Sequence, residues 1–241
     1  MFANYHTHTA RCHHATGEDK AYVEAAIQNG FQVLGFSDHC PWIFSDGYVS
    51  PIRMTPDELD GYVTSLTALK KEYAADITIY IGLESEYVPE MLPEQQKFLQ
   101  NYPIDYQILG EHFLYPEQRG IYTGRPTDNA AELKHYVDQV IAGMETGNYL
   151  YLAHPDLFHF IGDPALYEQE FRRLCVYLKE KQIPIEINQL GLADHRQYPN
   201  PAFLKIAESV GNTAIIGCDA HHPSALLDTD SQQACKKLAE Q

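Results

Sequence analysis

An α/β fold built on a mainly parallel sheet, closed as a barrel or left open and doubly wound, is what the 241-residue sequence predicts. Three observations carry that expectation. Short apolar, β-rich runs alternate with amphipathic stretches along almost the whole chain. Several of the amphipathic stretches open on recognisable helix caps. Metal-capable side chains follow the apolar runs at their carboxyl ends.

Seven runs read as strands, at 2–5, 33–36, 77–83, 106–109, 149–153, 184–187 and 214–217. Between them, Thr55-Pro56-Asp57-Glu58 offers an N-cap threonine, proline at the first helical position and a capping-box glutamate. Leu59, Tyr62, Val63, Leu66 and Leu69 follow at helical spacing. Thr16 with Asp19, Asp163-Pro164 and Asn200-Pro201 mark further helix starts. Leu133, Val137, Val140, Ile141 and Met144 form another apolar stripe. Segments 40–53 and 116–126, rich in Gly, Pro, Tyr and Ser, read as long loops over a pocket.

The length suits one domain over 1–241, and 44% apolar residues can bury a core without disulfide or metal staples. No apolar run approaches the roughly 18 residues a membrane span needs, and MFANYHTHTA lacks the pattern of a secretion signal, so a cytoplasmic location and no membrane partner are expected. Five scattered cysteines without a C-x-x-C pair predict reduced, buried thiols. A formal charge of -16 disfavours duplex nucleic acid as a partner. It leaves room for a small anionic substrate, because divalent ions can invert the field inside a pocket.

All the strand candidates but the sixth run into a metal-capable side chain: His6 and His8, Asp38-His39, Glu84, Glu111-His112, His154, and Asp219 with His221. In parallel α/β folds the carboxyl ends of the strands share one rim, where loops carry the chemistry. Six histidines with Glu84 and Asp219 are therefore expected to face each other. Any one of these histidines alone reads as an ordinary satisfied polar residue. Their joint placement reads as a site for Zn²⁺, Mn²⁺ or Fe²⁺.

With HTHTARCHH at 6–14, SDH at 37–39, GLE at 82–84, LGEHF at 109–113, AHPD at 153–156, EIN at 186–188 and GCDAH at 217–221, the sequence resembles the polymerase and histidinol phosphatase (PHP) family. The resemblance implies a distorted (β/α)7 barrel and three divalent metal ions at the strand ends. It implies that His6, His8, Glu84 and Asp219 hold one ion, and that Glu84 bridges to a second with His112 and His154. His14, His39 and His221 would hold a third.

The activity so implied is metal-dependent hydrolysis of a small phosphate monoester, with L-histidinol phosphate, a histidine-biosynthesis substrate, in first place. Clustered ions suit in-line attack of an activated water on phosphorus. Asp219, Arg196 and His195 are the expected catalytic residues, with His195 protonating the leaving oxygen. Arg196, Arg11 and His159 are the expected substrate contacts. His159 stands where histidinol phosphatases of the family commonly carry Arg or Lys. Trp42, Phe44 and Tyr48 are expected to wall the pocket, with Glu111 or Asp156 meeting a substrate ammonium. Two other readings stay open: a phosphoesterase acting on nucleotides or oligonucleotide ends, and a non-catalytic metal-binding protein.

Overall fold

Alternation with a period of two organises the sheet. In β2 (Val33–His39) Leu34 and Phe36 turn outward to helices, whereas Gly35, Ser37 and His39 turn inward. The computed structural model describes residues 2–240. β1 (Ala3–Asn4), β2, β3 (Thr78–Ser85) and β4 (Tyr106–Leu109) form a four-stranded parallel sheet in that order. β5 (Ile185–Asn188) and β6 (Ala214–Gly217) form a parallel pair. The register of β2 against β3 sets His39 opposite Glu84, so two of the expected metal-binding side chains leave the sheet side by side.

The run at 149–153 differs from the expectation. It forms no regular strand, but Leu152 makes single parallel bridges to Leu109 on one side and to Ile185 on the other. Ala153 N donates to Leu109 O at 2.8 Å and Glu186 N to Leu152 O at 3.0 Å. The run is short, and the chain leaves it at His154, whose φ of 28° turns it out of the sheet. A further bridge joins Thr7 to Ala220, next to β6. The result is an α/β fold on a curled parallel sheet.

Helices cover the outer face. α1 (Asp19–Gln28) and α2 (Leu59–Glu72) bury Tyr22, Val23, Tyr62 and Leu66 against Leu34, Phe36, Ile79 and Ile81. α3 (Leu92–Leu99) follows β3. α4 (Ala130–Glu145), α5 (Pro164–Lys181) and α7 (Pro201–Val210) bury Leu133, Val137, Phe171, Leu174 and Phe203 around Leu152 and Ile185. The short α6 (Gln189–Ala193) follows β5, and α8 (Thr229–Ala239) follows β6.

Three expected helix starts stand. The Thr55–Glu58 capping box forms around a single 3₁₀ turn that runs into α2, while Asp163 and Asn200 each accept from the backbone two residues on. Thr16 does not cap α1: Glu18 takes the N-cap position without a side-chain bond, and the Thr16 carbonyl accepts from Tyr22 Oη instead.

Inside the curl, Tyr106 fills the space that two glycines leave. A Cβ at Gly35 or Gly82 would overlap its ring or hydroxyl. That hydroxyl lies 2.7 Å from Tyr5 O and 3.0 Å from Phe36 O, so the filling side chain also ties β4 to β1 and β2. Beyond this layer the interior becomes polar and opens at the carboxyl ends of the strands. All five cysteines are buried and free, and among the described residues no helix is long and apolar enough to cross a membrane.

Candidate metal centre

Glu84 stands at the centre of the polar end. It is 1% exposed, and five imidazoles face its two oxygens. His154 Nε2 lies 2.8 Å and His112 Nε2 3.5 Å from Oε1; His39 Nδ1 lies 3.3 Å, and His6 Nε2 and His8 Nε2 each 3.5 Å, from Oε2. The chain makes room for this carboxylate with Gly110, where a Cβ would overlap Glu84 Oε1.

Asp219 closes the other side. Its Oδ1 lies 3.1 Å from His8 Nε2, 3.5 Å from His6 Nε2 and 3.3 Å from His221 Nδ1. His14 and His221 face each other through their Nε2 atoms at 3.0 Å. Donor atoms gather in overlapping triads suited to a metal ion, including His6/Glu84/His154, His6/His8/Asp219, His8/His39/Glu84 and His14/His39/His221. All nine residues expected as metal ligands thus come together, from the ends of β2, β3, β4 and β6 and from the loops after residues 5 and 153.

Burial and bonding test whether this set fits a cation. His6 Nε2, His8 Nε2, His39 Nδ1, Glu84 Oε2 and Asp219 Oδ1 are buried and make no hydrogen bond. Five such atoms left unsatisfied around one point would be costly to bury, unless cations satisfy them. In three of the rings the other nitrogen is committed: His6 Nδ1 is 2.8 Å from Glu186 Oε1, His112 Nδ1 is 3.0 Å from Glu86 Oε1, and His14 Nδ1 donates to Cys12 O at 2.7 Å. An imidazole held this way presents its second nitrogen as a lone pair.

The electrostatics divide the imidazoles: burial opposes charge on His6 and His8, but the facing carboxylates more than offset it and raise both well above the ordinary value, a positive charge that a bound cation would replace. Burial opposes the charge of Glu84 and Asp219, yet the surrounding imidazoles more than offset it and hold both carboxyls well below the usual range. Burial pushes His39 well below its ordinary value, with His8 adding to the effect. His221 goes down to about 3 for the same reasons. Both stay neutral, the form that binds metal. His154 and Asp219 have φ values of 28° and 50°, a left-handed backbone uncommon for residues with a Cβ.

A cavity of about 650 Å³ opens over these groups, lined by His14, His39, Glu84, His112, His154, Asp219 and His221 at its base. Phe113, Tyr122, Leu157 and Tyr198 give apolar wall, and Asp194 and Arg196 give charge. Arg196 Nη2 donates to Asp194 Oδ2 at 2.8 Å, and Nη1 lies 3.3 Å from the Tyr198 hydroxyl.

Other expected contacts sit elsewhere. Arg11 pairs with Asp19 at 2.9 Å and lines a separate surface recess. His159 lies outside the cavity lining, its backbone bonded to Thr123 and Thr127. His195 is exposed and also outside the lining, although its neighbours Asp194 and Arg196 belong to it. Trp42 is buried, donates to Glu86 Oε2 at 3.2 Å, and lines a small side cavity with Phe44; segment 40–53 gives the main cavity only Ile52. Glu111 and Asp156 are buried and spend themselves on Gln139, on the backbone of Tyr87 and on the backbone of Asn200. Asp194 is the carboxylate that lines the cavity above the base.

The sixth run looked empty of metal-capable groups, yet it supplies two orienting residues. Glu186 accepts from His6, from Asn188 Nδ2 at 2.8 Å and from His154 N at 3.1 Å, while Asn188 Nδ2 also lies 3.0 Å from Asp219 Oδ2. The available signal was the charged residue of Ile185-Glu186-Ile187, which alternation turns to the inside.

Comparison with known proteins agrees with this site. The PHP domain family matches residues 4–190. A protein of Deinococcus radiodurans named probable histidinol-phosphatase is 28% identical over 230 residues, covering 90% of this chain and 85% of that one. The histidinol-phosphatase of Bacillus subtilis is 34% identical over 115 residues, covering 45% of this chain and 43% of its own. The histidinol phosphate phosphatase of Lactococcus lactis, solved with zinc, L-histidinol and phosphate, superposes with a TM-score of 0.74 at 20% identity, covering 99% of this chain and 92% of that one. At that identity the likeness speaks for the fold. With the family matched over most of its length, the chain belongs to the PHP domain family and is related at modest identity to histidinol phosphatases.

Proposed function

We propose that the chain is a metal-dependent phosphatase that hydrolyses a small phosphate monoester, with L-histidinol phosphate as the leading substrate. The observation that carries this reading is the convergence of nine His, Glu and Asp donors at the base of a cavity whose wall holds an arginine. The relatives named histidinol-phosphatases support the substrate, and the zinc of the Lactococcus structure supports a metal there.

In the proposed arrangement the parallel bridges at Leu152 and at Thr7 complete a distorted (β/α)7 barrel forming one domain. His6, His8, Glu84 and Asp219 would hold one ion, Glu84 with His112 and His154 a second, and His14, His39 and His221 a third. Bound ions would neutralise phosphoryl oxygens and make a water nucleophilic near neutral pH. Zn²⁺, Fe²⁺ and Mn²⁺ all suit this donor set.

The chain's own groups supply binding and orientation. The Arg196 fork, held by Asp194 and Tyr198, meets the phosphate from the wall. Tyr122, Phe113, Leu157 and Tyr198 exclude water around a compact ring. Asp194 offers a carboxylate to a substrate ammonium.

The test is phosphate release by the metal-loaded protein from a panel of monoesters, nucleotides and short single strands. L-histidinol phosphate is expected to give a higher kcat/KM than an aryl phosphate or a nucleoside monophosphate. A nucleotide or a single-stranded end preferred by about tenfold or more, a difference of about 1.4 kcal/mol in transition-state binding, would favour a phosphoesterase acting on nucleotides or oligonucleotide ends instead.

A further inference from the structure

Arg53 is a fully buried cation, 1% exposed, at the end of the long segment 40–53, and it lies outside the set of metal ligands. Its Nη1 and Nη2 donate to Glu86 Oε2 at 3.0 Å and Oε1 at 2.9 Å, and its Nε donates to Glu117 Oε2 at 2.7 Å. Nη1 also reaches Cys40 O at 3.1 Å. Glu117 Oε1 in turn accepts from Ser50 Oγ at 2.7 Å and Tyr48 Oη at 3.0 Å. Two loops from different parts of the sequence thus meet on one guanidinium.

The Glu86 carboxylate has four donors: two from Arg53, one from Trp42 Nε1 and one from His112 Nδ1. A carboxylate has about four acceptor sites, so this one has no freedom to turn. Facing a guanidinium that does not lose its proton, it acts only as an acceptor, and the proton of His112 therefore sits on Nδ1. That leaves the Nε2 lone pair aimed at Glu84 Oε1, 3.5 Å away.

We infer that Arg53 is a positioning residue: through Glu86 it fixes the tautomer and aim of His112, and so tunes the metal position that His112 serves. This rests on the metal-dependent reading above. Glu86 lies two residues beyond Glu84, which puts both on the inner side of the same chain segment, one toward the ions and one toward the imidazole that binds them.

The experiment compares the full-length parent with Glu86→Gln, Arg53→Lys and Glu117→Gln after metal stripping and titration with Co²⁺. Bound cobalt per chain, the visible absorption of the bound cobalt and far-UV circular dichroism are read together. Glu86→Gln and Arg53→Lys, which loses the fork, are expected to keep the parent's circular dichroism. They are expected to weaken one class of cobalt site by about 10-fold to 100-fold and to alter its visible band. Glu117→Gln leaves the Arg53–Glu86 and Glu86–His112 contacts in place and is expected to keep the parent's cobalt stoichiometry. Folded Glu86→Gln with the parent's stoichiometry, affinity and spectrum would overturn the inference, as would Glu117→Gln losing as much cobalt affinity as Glu86→Gln. Should Glu86→Gln fail to fold, Arg53→Lys decides on the same readouts. A parent protein that takes up no cobalt overturns the metal-dependent reading itself, and this inference with it.

Discussion

Glu186 Oε1 accepts a 2.8 Å hydrogen bond from His6 Nδ1 across 180 positions of sequence, with both side chains fully out of contact with solvent. His6 is thereby committed to one tautomer, its Nε2 turned to Glu84 and Asp219. Replacing Glu186 by Gln keeps the shape and removes the charge. Metal affinity is expected to fall about 10-fold to 100-fold with little change in circular dichroism. Competition with a chromogenic chelator checks this, and an unchanged affinity would take Glu186 out of the site.

Gly110→Ala should damage the centre without touching a ligand. The new methyl would overlap the Glu84 carboxylate, so that either the carboxylate or the strand end has to shift. We expect a loss of about 1–3 kcal/mol in the absence of metal and a further loss of metal-dependent stabilisation. Urea unfolding with and without Zn²⁺ measures both. A variant with the parent's two midpoints contradicts the crowding.

Metal removal should be visible in stability as well as in rate. An ion present at about 100 times its Kd adds about 2.7 kcal/mol to the folded state. A chelator is expected to lower the Tm of the parent and leave Glu84→Gln unmoved, because that variant has already lost its central ligand. Its phosphatase activity should be abolished with the fold retained; activity within about threefold of the parent would remove Glu84 from the metal set.

The two arginines expected to meet phosphate should separate cleanly. Arg196→Lys loses a fork held over the cavity by Asp194 and Tyr198, and kcat/KM should drop by about tenfold or more. Arg11→Lys alters a pair with Asp19 in another recess and should stay within about twofold. Steady-state kinetics on the preferred monoester decide, and the reverse ranking would exchange their roles.

Burial pushes the Cys175 thiol up to about 12. The unfolded value is about 8.5, so the folded state favours the neutral thiol; the resulting stability is fully present below pH ~8.5 and is lost as the pH rises toward 12. Cys175→Ala leaves a cavity but removes this alkaline loss, which reaches about 1.4 kcal/mol per pH unit. The gap between parent and variant in urea midpoint should therefore narrow from pH 8 to pH 10. A constant gap would show that the thiol ionises alike in both states.

Much of this protein was legible in the order of its residues. Strand runs, proline-marked caps and the apolar stripes of α2 and α4 are local patterns, set by a period of two or 3.6 and by the fixed φ of proline. Eight of the nine donor residues were legible from placement too, because a parallel sheet sends every strand end to one rim where His and carboxylate gather, while His14 came only with the family resemblance. Tertiary structure alone decided which polar side chains reach the cavity. Arg11 and Arg196 are chemically alike, yet Asp19 holds one away while Asp194 and Tyr198 hold the other over the base. Trp42 looked like a pocket wall and instead serves Glu86, and Glu186 looked like part of a plain strand and orients His6. For Trp42 and Glu186 the deciding partners lie 44 and 180 residues away. Neither spacing nor composition encodes them; the packed interior selects them, because each buried polar atom must find a partner there.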